Sequence, residues 1–305
     1  MSQIIIDITE NDADERIDIF LNDYSEDLSR SYIQRLIKDG NVTVNQIAII
    51  KPSYKVHDGD QIIFSIPESI EPDIEPEDLP LDIIYEDEDL LVVNKPKGMV
   101  VHPAAGHYSG TLVNAVLYHC KGNLSGINGV MRPGIVHRID KDTSGSLLIC
   151  KNDFSHRDIA EQLKTHSVKR IYHAIVYGDL KQTDGIIDAP IGRDPKDRLK
   201  MSVVANGKSA ITHYHMIEQL KGFSYIQCQL ETGRTHQIRV HMTSIGHPIL
   251  GDTLYSAGHK CNIKCDGQTL HAKTIGFIHP RTHEYMEFDT ELPEYFKHFL
   301  DILRE

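Results

Sequence analysis

The sequence predicts an α+β fold in two domains, the larger one built on a mixed, largely antiparallel sheet flanked by helices and loops. Three observations support this prediction. The 305 residues are more than one compact core of ordinary size needs. An acidic, proline-containing stretch at 68–80 divides the chain. Beyond it, apolar runs of strand length follow one another without the regular strand–helix–strand alternation of a parallel sheet.

The stretch at 68–80 has the composition of a linker, with prolines placed among carboxylates and few apolar residues. Proline removes amide donors and favours extended backbone, while like charges repel one another. We therefore expect a small domain at residues 1–67, an extended linker at 68–80 and a larger domain at 81–305.

Two helices and a few short strands are predicted for the small domain. Apolar residues recur at helical spacing around residues 17–21 and 33–37. Short apolar runs at 42–44, 47–50 and 61–66 indicate strands separated by turns. So few elements bury little apolar surface, which suggests a small module that presents a surface.

The second predicted helix carries basic residues on its polar side. Ser29 is its predicted N-cap. Arg30, Gln34 and Lys38 follow one another at intervals of four, with Arg35 close by, so their side chains share one side of the helix. On charge alone, this side would be an ordinary solvated helix face.

The net charge of −12 is unevenly distributed. Residues 1–80 hold 18 acidic and 6 basic residues, whereas the rest of the chain holds 26 of each. Because a local basic surface can coexist with an acidic total, this charge does not exclude binding to nucleic acid.

The composition indicates a cytoplasmic protein without a membrane partner. No stretch approaches the ~20 apolar residues of a membrane span, and residues 1–7 lack the basic start of a signal peptide. The five cysteines are scattered and odd in number, which favours reduced thiols over disulfides. Cys261 and Cys265 lack the spacing and the second ligand pair of a structural zinc site.

Strands and helices alternate irregularly in the larger domain. Strands are predicted at 83–85, 90–94, 145–149, 172–177, 210–215 and 224–230, and helices at 111–119, 159–163 and 235–243.

A dense polar cluster lies between Gly134 and Gly145, directly before an apolar strand. Its members are His137, Arg138, Asp140, Lys141, Asp142, Thr143 and Ser144. Functional sites are often built where such groups gather at the end of a strand. A hydrogen-bonded turn is the alternative, and we favour it for Asp142 and Ser144. A Ser–His–Asp hydrolase is disfavoured because no Gly-x-Ser-x-Gly motif occurs.

The small domain resembles the S4 RNA-binding domain. The resemblance begins at Arg16-Ile-Asp-x-Phe-Leu, continues through Leu28-Ser-Arg-Ser-x-Ile-Gln and ends at Val56-His-Asp-Gly-Asp-x-Ile. It implies that the second helix and the following loop contact structured RNA. Arg30, Arg35 and Lys38 are therefore the expected RNA-binding residues of this domain.

The polar cluster resembles the signature of the RluA/RluD family of RNA pseudouridine synthases, in the form His137-Arg-Ile-Asp-Lys-Asp-Thr-Ser-Gly. Four further blocks agree with the family in the same order. They are Asn94-Lys-Pro-Lys-Gly-Met-Val-Val-His-Pro, Lys169-Arg-Ile-Tyr-His-Ala-Ile-Val-Tyr-Gly, the segment from Leu230 to Asp252, and the segment from Leu270 to Pro280. Together with the S4 segment, the resemblance covers almost the whole chain.

This resemblance implies an isomerisation in which uracil leaves the ribose through N1, turns and rejoins it through C5. It implies Asp140 as the carboxylate that acts at the sugar, either as nucleophile or as base. It also implies Tyr172 as the residue that stacks on the uracil and Arg234 as the cation that pairs with Asp140. Arg138 resembles the arginine that enters the RNA when the target nucleotide leaves the stack. An isomerisation needs no redox cofactor and no metal, so we expect neither.

Within the family, the S4 domain, the linker and the unbroken polar cluster most resemble the RluD branch, which modifies uridines of large-subunit ribosomal RNA. Ribosomal RNA is therefore the expected partner. The nearest rival is an RluC-like synthase acting on other uridines of that RNA. Two alternatives of other classes are a non-catalytic RNA-binding assembly factor and a carboxylate-dependent nucleoside hydrolase. The presence of Asp140, Tyr172 and Arg234 argues against a decayed, non-catalytic domain.

Overall fold

The computed structural model describes residues 2–10, 12–25, 30–66, 74–103, 108–129, 132–259, 261 and 263–305. The chain divides into two compact units, Met1–Glu71 and Pro72–Glu305. This division falls inside the predicted linker. The predicted N-cap Ser29 lies outside the described residues.

The second half of the predicted linker packs within the larger unit. Ile74 is buried in the core of that unit. Asn114 donates from Nδ2 to the carbonyl oxygen of Glu75 at 2.8 Å, and the Gly110 amide donates to the Glu77 carboxylate at 3.0 Å. Residues 74–80 therefore differ from a free spacer, because their one buried apolar side chain and their acceptors find partners.

The first unit consists of two helices beside a small antiparallel sheet. Its elements are β1 (Ser2–Asp7), α1 (Ile17–Tyr24), α2 (Arg30–Lys38), β2 (Val42–Val44), β3 (Ile47–Ala48) and β4 (Gln61–Ile66). The strands lie in the order β1–β4–β2–β3. Both predicted helices are confirmed. Helix α2 buries Ile33, Leu36 and Ile37 and leaves its basic residues on the outside, as the helical spacing predicts.

The second unit is built around one large sheet. Its elements are β5 (Ile83–Glu86), β6 (Leu90–Lys95), α3 (Leu112–His119), β7 (Ser144–Cys150), α4 (Asp153–Lys164), β8 (Lys169–Tyr177), β9 (Asp184–Asp188), β10 (Ile191–Arg193), β11 (Met201–Val203), β12 (Ile211–Leu220), β13 (Phe223–Leu230), α5 (Gln237–Ser244), β14 (Leu270–Ile278), β15 (Tyr285–Asp289) and α6 (Glu294–Arg304).

The strands of this sheet lie in the order β5–β6–β7–β14–β8–β13–β12–β9, and β15 also pairs with β14. Strands β7 and β14 are parallel, and the other pairs described in the sheet are antiparallel. The predicted mixed, largely antiparallel α+β fold is therefore confirmed. Among the described residues, no helix is long and apolar enough to span a bilayer.

Helices cover both faces of the sheet. Alternate residues of β6 point to opposite faces. Leu91 and Val93 join a core with α3 and α5, whereas Leu90 and Val92 join a core with α4. Helix α6 packs on the α4 side, against residues of β8 and β13. Because both faces are covered, the central strand β7 is buried along its whole length.

Gly145 fixes the start of β7 against β14. Its φ is +114°, and a Cβ atom there would overlap the backbone of Ala272, its partner in the parallel pairing. The polar loop that precedes β7 is therefore held over the middle of the sheet, on the side covered by α5.

Candidate active site and RNA-binding helix

A cavity of about 570 Å³ opens above the centre of the large sheet. Its walls come from the loop before β7, from β8 and from the start of α5. Four residues predicted from the sequence line it: Arg138, Asp140, Tyr172 and Arg234. These residues come from three separate parts of the chain, and the fold brings them to one place.

Asp140 forms an ion pair with Arg239 of α5. The Nη1 atom of Arg239 donates to Asp140 Oδ2 at 2.8 Å. The Nε and Nη2 atoms donate to the two oxygens of Asp252 at 2.7 and 3.0 Å. Burial alone would lower the pKa of Arg239, but Asp252 and Asp140 together raise it well above its usual value. The guanidinium is therefore a permanent, fixed cation between two carboxylates.

The prediction that Arg234 pairs with Asp140 is wrong. Arg234 lines the same cavity, but its Nε donates to the carbonyl oxygen of Ser209 at 2.9 Å, and no ion pair joins it to Asp140 among the described residues. Arg234 stands in the loop before α5, whereas Arg239 lies on the buried side of the helix. Arg239 lies in the buried run from Gln237 to Met242, and a buried arginine needs an acid as partner.

The second oxygen of Asp140 remains accessible. The ionisable side chain of His236 lies near this oxygen, but its Nε2 is 3.8 Å from Asp140 Oδ1, too far for a hydrogen bond. The Asp140 side chain keeps 19% of its surface exposed, whereas Asp252 is fully buried. One carboxylate oxygen is therefore held by the protein and the other is open to the cavity.

Tyr255, which no sequence motif predicted, supports Arg239 and His236. The Arg239 guanidinium lies 5.0 Å from the centre of its ring, and its hydroxyl lies 2.9 Å from Nδ1 of His236. His236 has a left-handed backbone (φ +57°) where α5 begins. Burial lowers the pKa of His236, although Asp140 acts in the opposite direction.

Tyr172 of β8 is buried, with 8% of its surface exposed, and it lines the cavity. Burial raises the pKa of its hydroxyl, and nearby Arg170 offsets part of this effect. The hydroxyl is therefore protonated at neutral pH. Arg170 lies two residues earlier on the same face and donates from Nη2 to the carbonyl oxygen of Glu231 at 2.9 Å. A Cβ atom on Gly233 would approach Arg170 Nη1 to 2.7 Å, so this loop rests directly on the guanidinium.

Lys95, at the end of β6, holds the loop that carries Asp140. It is fully buried and donates from Nζ to the carbonyl oxygens of Pro96 and Met99, both at 2.8 Å, and of Lys141 at 3.0 Å. Burial lowers its pKa to about 7, against the attraction of the nearby acids. Three backbone carbonyls therefore converge on one ammonium group next to Asp140.

The predicted basic stripe on α2 is partly engaged inside its own unit. Asp18 of α1 has a fully buried side chain and accepts from Arg16 Nε at 2.9 Å, Arg30 Nη2 at 2.9 Å and Gln34 Nε2 at 2.6 Å. Burial raises the pKa of Asp18, but these donors outweigh it and lower the pKa to about 2. Arg30 and Gln34 therefore join the two helices, and 48% of the Arg30 side chain stays exposed.

Arg35 and Lys38 are exposed on the same helix. The Arg35 guanidinium lies 5.0 Å from the centre of the Tyr32 ring. An exposed guanidinium on an aromatic ring beside a lysine offers both charge and a flat surface, and both features suit nucleic acid.

One group of possible metal ligands occurs among the described residues, at Asp87, Asp89 and His279. It lies outside the cavity that Asp140 lines. His279 Nε2 is 2.7 Å from Asp87, and Arg281 forms two hydrogen bonds of 2.6 Å with Asp89. Arg281 already compensates the charge of Asp89, and His279 is already a hydrogen-bond partner of Asp87, so the group suits a network within the protein better than a metal site.

Known proteins resemble this chain over both units. Residues 89–244 match the RNA pseudouridylate synthase family, and residues 15–62 match the S4 domain. The chain is 53% identical to "Uncharacterized RNA pseudouridine synthase YlyB" of Bacillus subtilis, over 100% of this chain and 99% of that protein. It is 49% identical to "Ribosomal large subunit pseudouridine synthase D" of Zymomonas mobilis, over 95% and 94%. The solved structure of human RNA pseudouridylate synthase domain containing 1 shares the fold at 24% identity, with a TM-score of 0.57 over 79% of this chain and 98% of that one.

The match to an RNA pseudouridylate synthase domain and to an S4 domain assigns the chain to the RNA-modifying enzymes. The family match covers half of the chain, and the relatives match it over nearly its full length. The chain belongs to the RNA pseudouridylate synthase family. It is an RNA pseudouridine synthase, an isomerase that rearranges uridine without adding or removing atoms.

Proposed function

We propose that this protein converts specific uridines of large-subunit ribosomal RNA to pseudouridine, with Asp140 as the catalytic carboxylate. The RNA target is supported by the names of two relatives, from Zymomonas mobilis and Pseudomonas aeruginosa, which are 49% and 41% identical over 95% of this chain. The observation that carries the catalytic assignment is the arrangement of Asp140, with one oxygen on Arg239 and the other open to the cavity.

The open oxygen of Asp140 acts on the ribose of a uridine that has left the RNA stack. It either attacks C1′ or removes the proton from C2′, and both steps release uracil from C1′. Arg239 compensates the charge of the carboxylate in each state and holds its other oxygen in place. Because Asp252 fixes Arg239 from the opposite side, little reorganisation is needed during the reaction.

Tyr172 contacts the base while it is detached. Its ring forms part of the cavity wall and can stack on the uracil, which must turn to present C5 to C1′. Its protonated hydroxyl suits hydrogen bonding better than direct removal of the C5 proton. Arg138, exposed beside the cavity, is placed to fill the gap that the extruded nucleotide leaves in the RNA. Arg234 becomes a candidate contact for RNA phosphate rather than the partner of Asp140.

The S4 unit supplies affinity for structured RNA through Arg35 and Lys38, with Arg30 in a mixed role. The ribosomal RNA substrate supports a cytoplasmic location.

An isomerisation balances without a cofactor, so we expect chelators to leave the rate unchanged. EDTA can also unfold an RNA that needs Mg²⁺ for its structure. Loss of activity with EDTA on an RNA that keeps its fold without Mg²⁺ would contradict this expectation.

Mapping pseudouridines in total RNA tests the proposed function. Cells with and without this protein are compared, and the wild-type chain is restored in the second strain. We expect one or more pseudouridines of large-subunit RNA to disappear and to return on restoration. Unchanged large-subunit RNA together with altered sites in another RNA would contradict the proposed substrate.

A further inference from the structure

A second, smaller cavity of about 240 Å³ lies directly beside the catalytic one. The two cavities share Val136, His137 and Arg138 as a common wall. His102 and Arg132 belong to the second cavity alone. An RNA strand that places its target in the first cavity must therefore pass close to the second.

Two neutral histidines line this second cavity. The Leu148 amide donates to His137 Nε2 at 3.0 Å, so the hydrogen-bond network assigns the ring proton to Nδ1. Burial, and then Arg170, lower the pKa of His137 to about 3. His137 therefore offers an N–H donor and carries no charge at neutral pH.

His102 has the same tautomer for a similar reason. Arg138 donates from Nη1 to His102 Nε2 at 3.4 Å, a long hydrogen bond that leaves the ring proton on Nδ1. His102 is 8% exposed, and its Nδ1 has no hydrogen-bond partner among the described residues. Burial, Arg138 and Arg132 lower its pKa to about 4. A buried donor without a partner is unfavourable unless a ligand satisfies it.

The chemistry of the cavity selects an electron-rich ligand. The described residues that line it include no carboxylate, and its arginines Arg132 and Arg138 are exposed. Donors without a balancing acid suit keto oxygens, ring nitrogens or phosphate oxygens. The volume is less than half that of the catalytic cavity, which favours a base or a phosphate group over a whole nucleotide.

We propose that the second cavity binds the nucleotide next to the target uridine in the substrate RNA, through acceptor atoms of its base or its phosphate. This proposal rests on the proposed function, because it takes the strand in the first cavity as given. Arg138 belongs to both cavities, so one side chain contacts the target and its neighbour. The flanking position then contributes to the choice of uridine.

A coupling experiment between protein and RNA tests this proposal. The RNA is a stem-loop fragment around a uridine that mapping has identified as a substrate. Its variants carry an abasic site at the 5′ or the 3′ neighbour, or a methylphosphonate at either adjoining linkage. RNA affinity and single-turnover rate are measured for the wild type, His102→Ala and Arg132→Gln. The exposed Arg132 keeps the test valid if His102→Ala does not fold.

We expect each substitution to weaken binding of the intact RNA about three- to tenfold, as for the loss of one hydrogen bond or ion pair. On one RNA variant, the wild type and the substituted protein should bind with equal affinity, because that RNA lacks the group that fills the cavity. An abasic variant that does so identifies the base, and a methylphosphonate identifies the phosphate. His215→Ala serves as the matched control, because His215 is an exposed residue of β12 paired with Asp184 at 2.7 Å.

Equal losses on every RNA variant, or no loss on the intact RNA, would overturn the second cavity as a nucleotide site. Failure of the proposed function is detected by the mapping of pseudouridines and not by this coupling experiment. In that case mapping identifies a substrate outside large-subunit RNA, and the same coupling is measured on a fragment of that substrate.

Discussion

Asp18 and Asp140 are both paired with arginine, one in each unit, yet their environments differ in a decisive way. The Asp18 side chain is fully buried, and three side chains donate to its two oxygens. Asp140 keeps 19% of its side chain exposed and, within the described part of the chain, receives a hydrogen bond at one oxygen alone. An aspartate whose acceptor capacity is filled stabilises a fold, whereas one that retains an open oxygen beside a fixed cation can act on a ligand.

The two aspartates also differ in how their cations are held. Arg30, which serves Asp18, is half exposed, and no second acid fixes it among the described residues. Arg239, which serves Asp140, is clamped by the buried Asp252. In the larger unit, a second buried acid therefore orients the guanidinium that pairs with Asp140. The described part of the S4 unit has no such second acid for Arg30.

Apart from Asp140 itself, substitution of Arg239 should have the largest effect on the reaction. Arg239→Lys keeps a charge but cannot bridge Asp140 and Asp252 with a planar fork. We expect the single-turnover rate of pseudouridine formation to fall about 10²- to 10³-fold, as for loss of a preorganised donor at a reacting group. Thermal unfolding checks that the variant is folded.

Arg234→Lys is the matched control for Arg239→Lys. Arg234 lines the same cavity without touching Asp140, so we expect a loss of less than about tenfold, mainly in RNA affinity. A larger loss of rate for Arg234→Lys than for Arg239→Lys would indicate that Arg234 is the functional partner of Asp140, as predicted from the sequence.

Asp18→Asn tests the structural side of the comparison. Because the pKa of Asp18 falls from 3.8 to about 2 on folding, its charged interactions contribute roughly 2 kcal/mol to the S4 unit. The contribution is present above pH 4 and is lost as the pH falls towards 2. Hydrogen exchange of amides in α1 and α2 measures it. A variant as stable as the wild type at pH 7 would show that the network contributes nothing.

Substitution of Arg35 and Lys38 should give a smaller effect than substitution of Arg239. Changing both to Gln should weaken RNA binding about tenfold at moderate salt and reduce the salt slope by about two. Arg30 is left unchanged, because its loss would also disturb Asp18. The exposed Lys181 and Lys221 of the other unit, both changed to Gln, form the control. Equal binding by the two double variants would make the basic side of α2 an ordinary solvated face.

The fold class could be predicted from the sequence because apolar spacing and chain length reflect burial directly. The helices α1, α2, α3 and α5 and the strands β7, β8 and β13 all coincide with predicted segments. The strands β9, β10, β11 and β15 were not predicted, because they have only three to five residues and most of these are exposed or only partly buried. Strand β14 was missed because the buried His271 and the lysine Lys273 interrupt its apolar run.

The candidate site could be predicted as a set of residues but not as a set of contacts. Asp140, Tyr172 and Arg138 line one cavity, as their motifs implied. Arg234 and Arg239 stand five residues apart in one motif, and only the path of α5 decides which reaches Asp140. Asp252 and Tyr255 hold Arg239 from a loop whose position no local pattern indicates. Which arginine pairs with Asp140 is thus decided by the tertiary structure and not by the local sequence.

Single-turnover isomerisation by Asp140→Asn, measured beside Asp18→Asn on the same RNA, tests the distinction between the two aspartates most directly. The substituted amide keeps the shape of the side chain but removes the anionic oxygen that faces the cavity. We predict no detectable pseudouridine from Asp140→Asn, with RNA affinity within about threefold of wild type, and wild-type chemistry from folded Asp18→Asn. Pseudouridine formed by Asp140→Asn at a rate near that of the wild type would contradict the assignment of Asp140.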